Sequence, residues 1–157
     1  MIDGLIKFLQ ELPGGKSAPE PRKADDPRIA AAALMFHVMD ADGVRHATEH
    51  ERLEQMLRDA YSLTDSELAE LVKAGETADR EAIDLYAFTS VLKRNLEAPA
   101  RSEFIRLLWE IAYADGDRHE LEDNIVWRVA ELIGVEREER VALRRSVAAA
   151  TGVGDSA

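Results

Sequence analysis

The apolar residues of this chain recur at helical spacing in successive stretches, and no stretch of useful length alternates between apolar and polar residues as a strand would. The first stretch occupies residues 1–12. A segment rich in proline, glycine and serine follows over residues 13–26 and predicts a flexible linker. Residues 27–150 hold about seven further amphipathic stretches, and the small, polar residues 151–157 predict a frayed tail. The pattern therefore predicts an all-α domain preceded by a short amphipathic helix.

One face of the predicted helix is apolar and consists of Ile2, Leu5, Ile6, Leu9 and Leu12, of which the first four are the candidate contacts to a partner. A helix of 12 residues is marginal in water on its own, so we expect this face to dock. The alternatives are the domain itself, a partner protein and a membrane surface. Because Lys7 is the only basic residue of the stretch, a protein surface is favoured over an anionic membrane.

Helix starts and stops can be located by their capping residues. Asp26 followed by Pro27 predicts an N-cap with proline at the first helical position. Thr64 and Glu67 have the spacing of a capping box, and Gly75 predicts the end of the helix that follows. Pro99 is expected to open another helix.

A nine-residue sequence occurs twice, 73 residues apart. ADGVRHATE at residues 41–49, the first acidic segment, returns as ADGDRHELE at residues 114–122, the second acidic segment, with six of nine positions identical. An apolar run precedes each copy and an amphipathic stretch follows it. Such a repeat indicates duplicated structural units. We therefore expect two repeated helical units that pack about a pseudo-twofold axis.

Each acidic segment carries an aspartate before glycine and a glutamate seven residues later: Asp42 and Glu49 in the first, Asp115 and Glu122 in the second. Hard cations such as Ca²⁺ and Mg²⁺ bind several carboxylate oxygens, and four such groups brought together would repel one another without a cation. The segments thus predict a divalent-cation site. Further candidate donors in or beside them are Asp40, His46, Asp117 and His119.

Two known metal patterns fit these residues less well. An EF-hand register places Val38 and Ile111 at the first ligand position, where no side-chain oxygen is available. The first segment also contains H-x-x-E-H, from His46 to His50, which is the pattern of inverted zinc peptidases. The second segment lacks the last histidine, so Ca²⁺ or Mg²⁺ is favoured over Zn²⁺, and a zinc hydrolase is the least favoured alternative.

The acidic segments also allow a metal-free interpretation. If His46 and His119 lie at N-caps, Glu49 and Glu122 fall at the third helical position. A glutamate there accepts from a backbone N–H group of its own helix and complements the helix dipole. The segments would then only cap helices, and the chain would act as an interaction scaffold with an acidic surface.

Composition narrows the class of protein. The net charge of −11 disfavours nucleic acid and favours cations or basic partners. The chain has no cysteine, which excludes disulfides and cysteine–zinc sites. No apolar run is long enough to cross a bilayer, and no secretory signal is recognisable. We therefore expect a cytoplasmic protein.

On the two A-D-G motifs, each with its glutamate, the region from about residue 28 to residue 147 resembles the TerB-like family of tellurite-resistance operons and of the N-termini of DjlA-type co-chaperones. The resemblance implies an all-α, pseudo-symmetric bundle whose acidic turns chelate metal, with a stress-response role at the inner membrane face. It implies Asp42, Glu49, Asp115 and Glu122 as the ligands. The chain has Arg-His where the family often has an apolar residue and Ser-Pro. It also lacks the His-Pro-Asp of a J-domain.

These observations together predict a non-enzymatic TerB-like module that binds a divalent cation and acts with a protein partner in a stress-response or membrane-associated complex. The domain organisation we expect is a helix over 1–12, a linker over 13–26, the helical domain over 27–150 and a tail over 151–157.

Overall fold

The computed structural model describes residues 4–13, 26–40, 47–81, 85–113 and 120–151, apart from the side chains of residues 48, 75–81, 120–122 and 151. These ranges contain α-helices and no strand, which confirms the predicted all-α class. The helices are α1 (Leu5–Glu11), α2 (Pro27–Met39), α3 (Ala47–Tyr61), α4 (Asp65–Glu81), α5 (Tyr86–Asn95), α6 (Ala98–Ala112), α7 (Glu120–Ile133) and α8 (Arg137–Thr151).

The predicted helix starts are confirmed. The Asp26 carboxylate accepts from the backbone N–H of Arg28 at 2.8 Å, with Pro27 as the first residue of α2. Before α4, the backbone N–H of Thr64 donates to the Glu67 carboxylate at 2.9 Å, and the N–H of Glu67 donates to the Thr64 hydroxyl at 3.2 Å. These are the two reciprocal bonds of a capping box.

The predicted stop at Gly75 is wrong, because α4 continues to Glu81. A glycine inside a helix costs only about 1 kcal/mol relative to alanine. The helix-favouring residues around it and the packing of α4 along α2 outweigh that cost. At the end of α7, in contrast, Gly134 has a φ of 91° and does stop the helix, as a left-handed residue at that position usually does.

Helix α2 lies at the centre of the molecule. Every residue of it except His37 is buried, and it contacts α3, α4, α5, α6 and α7. The sequence accounts for this position, since residues 29–36 are apolar on all sides and such a helix is stable only when it is surrounded.

The helices fall into two sets that pack in the same order. In the first set, α1 packs on α3 and α2 on α4; in the second, α5 packs on α7 and α6 on α8. The bounds of α2–α4 recur in α6–α8 with displacements of 70 to 73 residues. Helix α5 therefore does more than connect the halves, because it takes the place in the second set that α1 takes in the first.

Helix α1 is part of the same core. Leu5 and Leu9, predicted as partner contacts, are fully buried within the chain itself. The Tyr61 hydroxyl donates to the Leu9 carbonyl at 2.8 Å, and the ring of Phe8 stacks on Phe104 with centroids 5.6 Å apart. The apolar face thus docks on the domain and is not open to a partner in this structure. The other two predicted contacts differ: Ile6 is partly exposed, and Ile2 lies outside the described residues.

Candidate functional site: the corners that carry the acidic segments

The two acidic segments occupy matching places in the fold, between α2 and α3 and between α6 and α7. Residues 41–46 and 114–119 lie outside the described residues, as does the side chain of Glu122. The candidate ligands concerned are Asp42, His46, Asp115, Asp117, His119 and Glu122. Of the remaining candidates, Asp40 and Glu49 are both partly exposed. A site shared by the two segments therefore stays a prediction.

The first corner consists of Phe36, Asp40 and His50. Asp40 is the C-cap of α2 and His50 is the fourth residue of α3, so the two residues bracket the first acidic segment. Nε2 of His50 lies 2.7 Å from Oδ1 of Asp40. Because a carboxylate only accepts, the imidazole N–H donates. The histidine is 1% exposed, and its ring stacks on Phe36 with centroids 5.1 Å apart.

The second corner consists of Trp109, Tyr113, Asp123 and Arg144. Tyr113 is the C-cap of α6 and Asp123 is the fourth residue of α7, and the tyrosine hydroxyl donates to Oδ1 of Asp123 at 2.5 Å. Nε of Arg144, on α8, lies 3.9 Å from Oδ2. Asp123 is 3% exposed, and Tyr113 stacks on Trp109 with centroids 5.8 Å apart.

The environment of the second corner disfavours ionisation of its tyrosine. Burial, followed by the hydrogen bond to Asp123 and the charge of that carboxylate, raises the pKa of the Tyr113 hydroxyl above its ordinary range, and Arg144 opposes the change. The hydroxyl therefore stays protonated and acts as the donor to Asp123 at neutral pH.

The two corners match position by position. Residues 36, 40 and 50 recur 73 positions later as 109, 113 and 123. In each corner a C-cap residue bonds to the fourth residue of the next helix, and an aromatic residue one turn before the C-cap stacks on one member of the pair. The residue types differ throughout, and Arg144, the eighth residue of α8, corresponds to the buried Val72, the eighth residue of α4. A comparison of identical residues in the two copies does not find these pairs, because unlike residues stand at the equivalent positions.

The described side chains provide no ready-made metal centre. Among them there is no group of three or more histidine, aspartate or glutamate residues that could hold a metal ion. Within the H-x-x-E-H pattern, His50 already uses Nε2 for Asp40. Its Nδ1 is buried with no hydrogen-bond partner among the described residues.

Comparison with known proteins identifies the family to which this chain belongs. Residues 28–145 match the family model described as tellurite resistance protein TerB, a match over more than half of the chain. The chain belongs to the TerB family. The match confirms the TerB-like family that the acidic segments predicted. Searches of curated proteins and of solved structures returned no match.

The family match begins inside α2 and leaves out α1, although α1 is buried against α3 and α6 of this TerB-family chain. Within the part of the chain that the structure describes, no helix is both long enough and apolar enough to cross a membrane.

Proposed function

We propose that this TerB-family chain is a non-enzymatic binding module that takes up a divalent cation, Ca²⁺ or Mg²⁺ rather than Zn²⁺, through the carboxylates of its two acidic segments. The ligands proposed are Asp42, Glu49, Asp115 and Glu122. One observation carries the proposal: both segments start after a capped helix end and lead into a helix at matching corners, each bracketed by a hydrogen-bonded pair. Aspartate and glutamate oxygens are the ligands that these hard cations prefer.

The description of the family, tellurite resistance, supports a role for the module in a stress response. We place it in a complex with a protein partner, and its net charge of −11 favours a basic one. A cytoplasmic location, peripheral to the membrane, belongs to the same proposal.

Calorimetric titration of the full chain with Ca²⁺, Mg²⁺, Mn²⁺ and Zn²⁺ tests the proposal. We expect Ca²⁺ or Mg²⁺ to bind, and we expect binding to be lost in both Asp42→Ala and Asp115→Ala if the two segments share one ion. Loss of one of two bound ions in each variant would indicate separate sites. The absence of binding for all four ions would contradict the proposal.

A metal-free scaffold is the second candidate function, and the capping box of α4 favours it. There Glu67 accepts from the backbone of Thr64, which shows that this chain uses a glutamate at the third helical position as a cap. Glu49 is likewise the third residue of α3. In a scaffold, Asp42→Ala and Asp115→Ala would leave ion binding absent and partner binding unchanged.

A zinc hydrolase is the remaining alternative. The burial of His50 weighs against it, because the side chain is 1% exposed and Nδ1, the ring nitrogen that does not bond to Asp40, is closed off from solvent. Zn²⁺ binding that depends on His46 and His50 but not on Asp115 would favour the hydrolase.

A further inference from the structure

We propose that the open groove between α1 and α6 is the face on which a second copy of this chain docks. The two copies form a two-fold symmetric dimer in which Lys7 of each copy pairs with Glu11 of the other. In such a dimer one patch serves both copies, so the patch has to be complementary to itself. The inference goes beyond the proposed cation site, because every residue that carries it lies outside the acidic segments.

The groove is a cavity of about 430 Å³ along one side of α1. Lys7, Phe8 and Glu11 line it from α1, and Pro99 lines it from the first turn of α6. Lys7 and Glu11 are exposed, whereas Phe8 is 5% exposed and its ring stacks on Phe104. The groove therefore combines a fixed aromatic ring with two exposed charges of opposite sign.

The contact of α1 with α6 differs from the equivalent contact in the second half. Helix α5, the counterpart of α1, has ten residues and packs extensively along the buried α2, the counterpart of α6. Helix α1 has seven residues and packs on α6 less extensively. The groove lies beside this shorter contact, and a third helix laid between two others is a common mode of recognition.

Charge selects a second copy of the chain as the occupant. With a net charge of −11, two copies repel each other over most of their surface. The groove is locally neutral, because Lys7 balances Glu11, and Nε of Arg106 donates to the Glu103 carboxylate at 2.8 Å. A basic partner gains nothing from a face where Lys7 is exposed, whereas a copy of the chain meets the least repulsion there.

The order of charges along α1 fits an antiparallel arrangement of the two copies. Lys7 and Glu11 are four residues apart and lie on the same side of the helix. Neither of them forms an ion pair with another described residue. A two-fold axis midway between them brings Lys7 of each copy opposite Glu11 of the other. The aliphatic stem of Lys7 then covers the apolar surface of Phe8 and Pro99 while its ammonium group reaches the carboxylate.

Sedimentation velocity of the full chain in buffer with EDTA tests the proposal. We expect the wild-type mass to rise from 17.5 kDa toward twice that value as the concentration is raised. Lys7→Glu and Glu11→Lys each create like-charge pairs across the two-fold axis, so we expect each to raise the dimer Kd by about 10-fold or more. An equal mixture of the two variants restores opposite charges at both contacts, and we expect a heterodimer at least as tight as the wild-type dimer.

The sign of the charge change separates the groove from general repulsion. Lys7→Glu makes the chain more negative and Glu11→Lys makes it less negative, so general repulsion would weaken the dimer only in the first variant. Lys73→Glu on α4 is the matched control, because it makes the same charge change at another exposed lysine. We expect its dimer Kd to stay within about two-fold of wild type. Circular dichroism melting of each variant reports whether the fold is retained.

Three outcomes would overturn the proposal. A wild-type chain that stays monomeric up to about millimolar concentration forms no such dimer. A dimer that both charge reversals leave unchanged forms on another face of the molecule. A mixture of the two variants that gives no heterodimer shows that Lys7 and Glu11 do not pair. Because EDTA removes divalent cations, none of these results depends on the proposed cation site.

Discussion

The two halves of the molecule, α1–α4 and α5–α8, have the same order of helix packing. They differ in the side chains that form the hydrogen-bonded pair beside each acidic segment. In the first half the aspartate, Asp40, lies at the end of the helix before the acidic segment, and its partner is a histidine. In the second half the aspartate, Asp123, lies in the helix after the acidic segment, and it contacts a tyrosine and an arginine. The residues that flank each acidic segment are thus hydrogen-bonded to each other in both halves, but by different side chains.

The largest expected effect concerns the first helix of each half. Leu9 on α1 and Leu92 on α5 are both fully buried. If α1 is as integral as α5, Leu9→Ala and Leu92→Ala should each lower the free energy of unfolding by about 4 kcal/mol, the cost of a cavity in a packed core. Urea unfolding followed by circular dichroism measures it.

Ile6→Ala serves as the control for that comparison, since Ile6 is on the same helix but partly exposed, and we expect it to cost less than half as much. A loss below about 1 kcal/mol in Leu9→Ala, with the full loss in Leu92→Ala, would make α1 an appendage and break the equivalence.

The second prediction compares the two aspartates. Asp123→Ala should cost about 3 kcal/mol, because it leaves the buried Tyr113 hydroxyl and Arg144 without their carboxylate. Asp40→Ala should cost about 1 kcal/mol, because Asp40 is partly exposed and only His50 loses a partner. Equal costs, measured by urea unfolding, would show that the buried arginine does not distinguish the corners.

Alkaline pH should lower the free energy of unfolding because one buried tyrosine in each half resists ionisation in the folded state. Burial is the main cause that raises the pKa of Tyr61 in the first half and of Tyr113 in the second. The unfolded chain therefore releases these protons first. The stability they contribute is present below about pH 10 and is lost at about 1.4 kcal/mol per pH unit and per tyrosine above it.

Tyr113→Phe should remove one of these two contributions, so that the free energy of unfolding falls less steeply with pH than in wild type. Tyr61→Phe should remove the other. Urea unfolding at a series of pH values above 10 checks this, and an unchanged slope in both variants would refute the assignment.

The smallest expected effect concerns the N-terminal capping of the fourth helix of each half, α4 and α8. Helix α4 starts with the capping box of Thr64 and Glu67, whereas the corresponding positions at the start of α8 are Glu136 and Glu139, and the Glu139 carboxylate accepts from the Ser102 hydroxyl. Thr64→Ala should cost about 1 kcal/mol. The exposed neighbour Ser66 is the control, and Ser66→Ala should cost almost nothing; equal melting temperatures of the two variants would argue against the cap.

The sequence predicted helix starts correctly where neighbouring residues alone determine them. Asp26 with Pro27, and Thr64 with Glu67, act over one turn, so their residue types suffice. The prediction for Gly75 failed because a weak local preference yields to the packing of a long helix. The docking of α1 was expected, but its target depends on where the fold places α3 and α6, both of which α1 contacts, and no local pattern encodes that placement.

The candidate site was predictable only in part. The acidic segments were visible because their residues are identical in both copies. The pairs that bracket them were not, because Asp40 corresponds to Tyr113 and His50 to Asp123, and only the fold shows that these unlike residues make the same contact. Hydrogen bonds between residues of different type leave no signature in a single sequence.

The most direct test of the central claim is nuclear magnetic resonance of the ¹⁵N-labelled chain during titration with Ca²⁺ and Mg²⁺. We expect the amide signals of residues 41–50 and 114–123 to move together and saturate, while those of Thr64 and Glu67, an acidic helix start with a complete cap, stay in place. Signals that do not move in either acidic segment, or that move equally over all acidic surfaces, would contradict it.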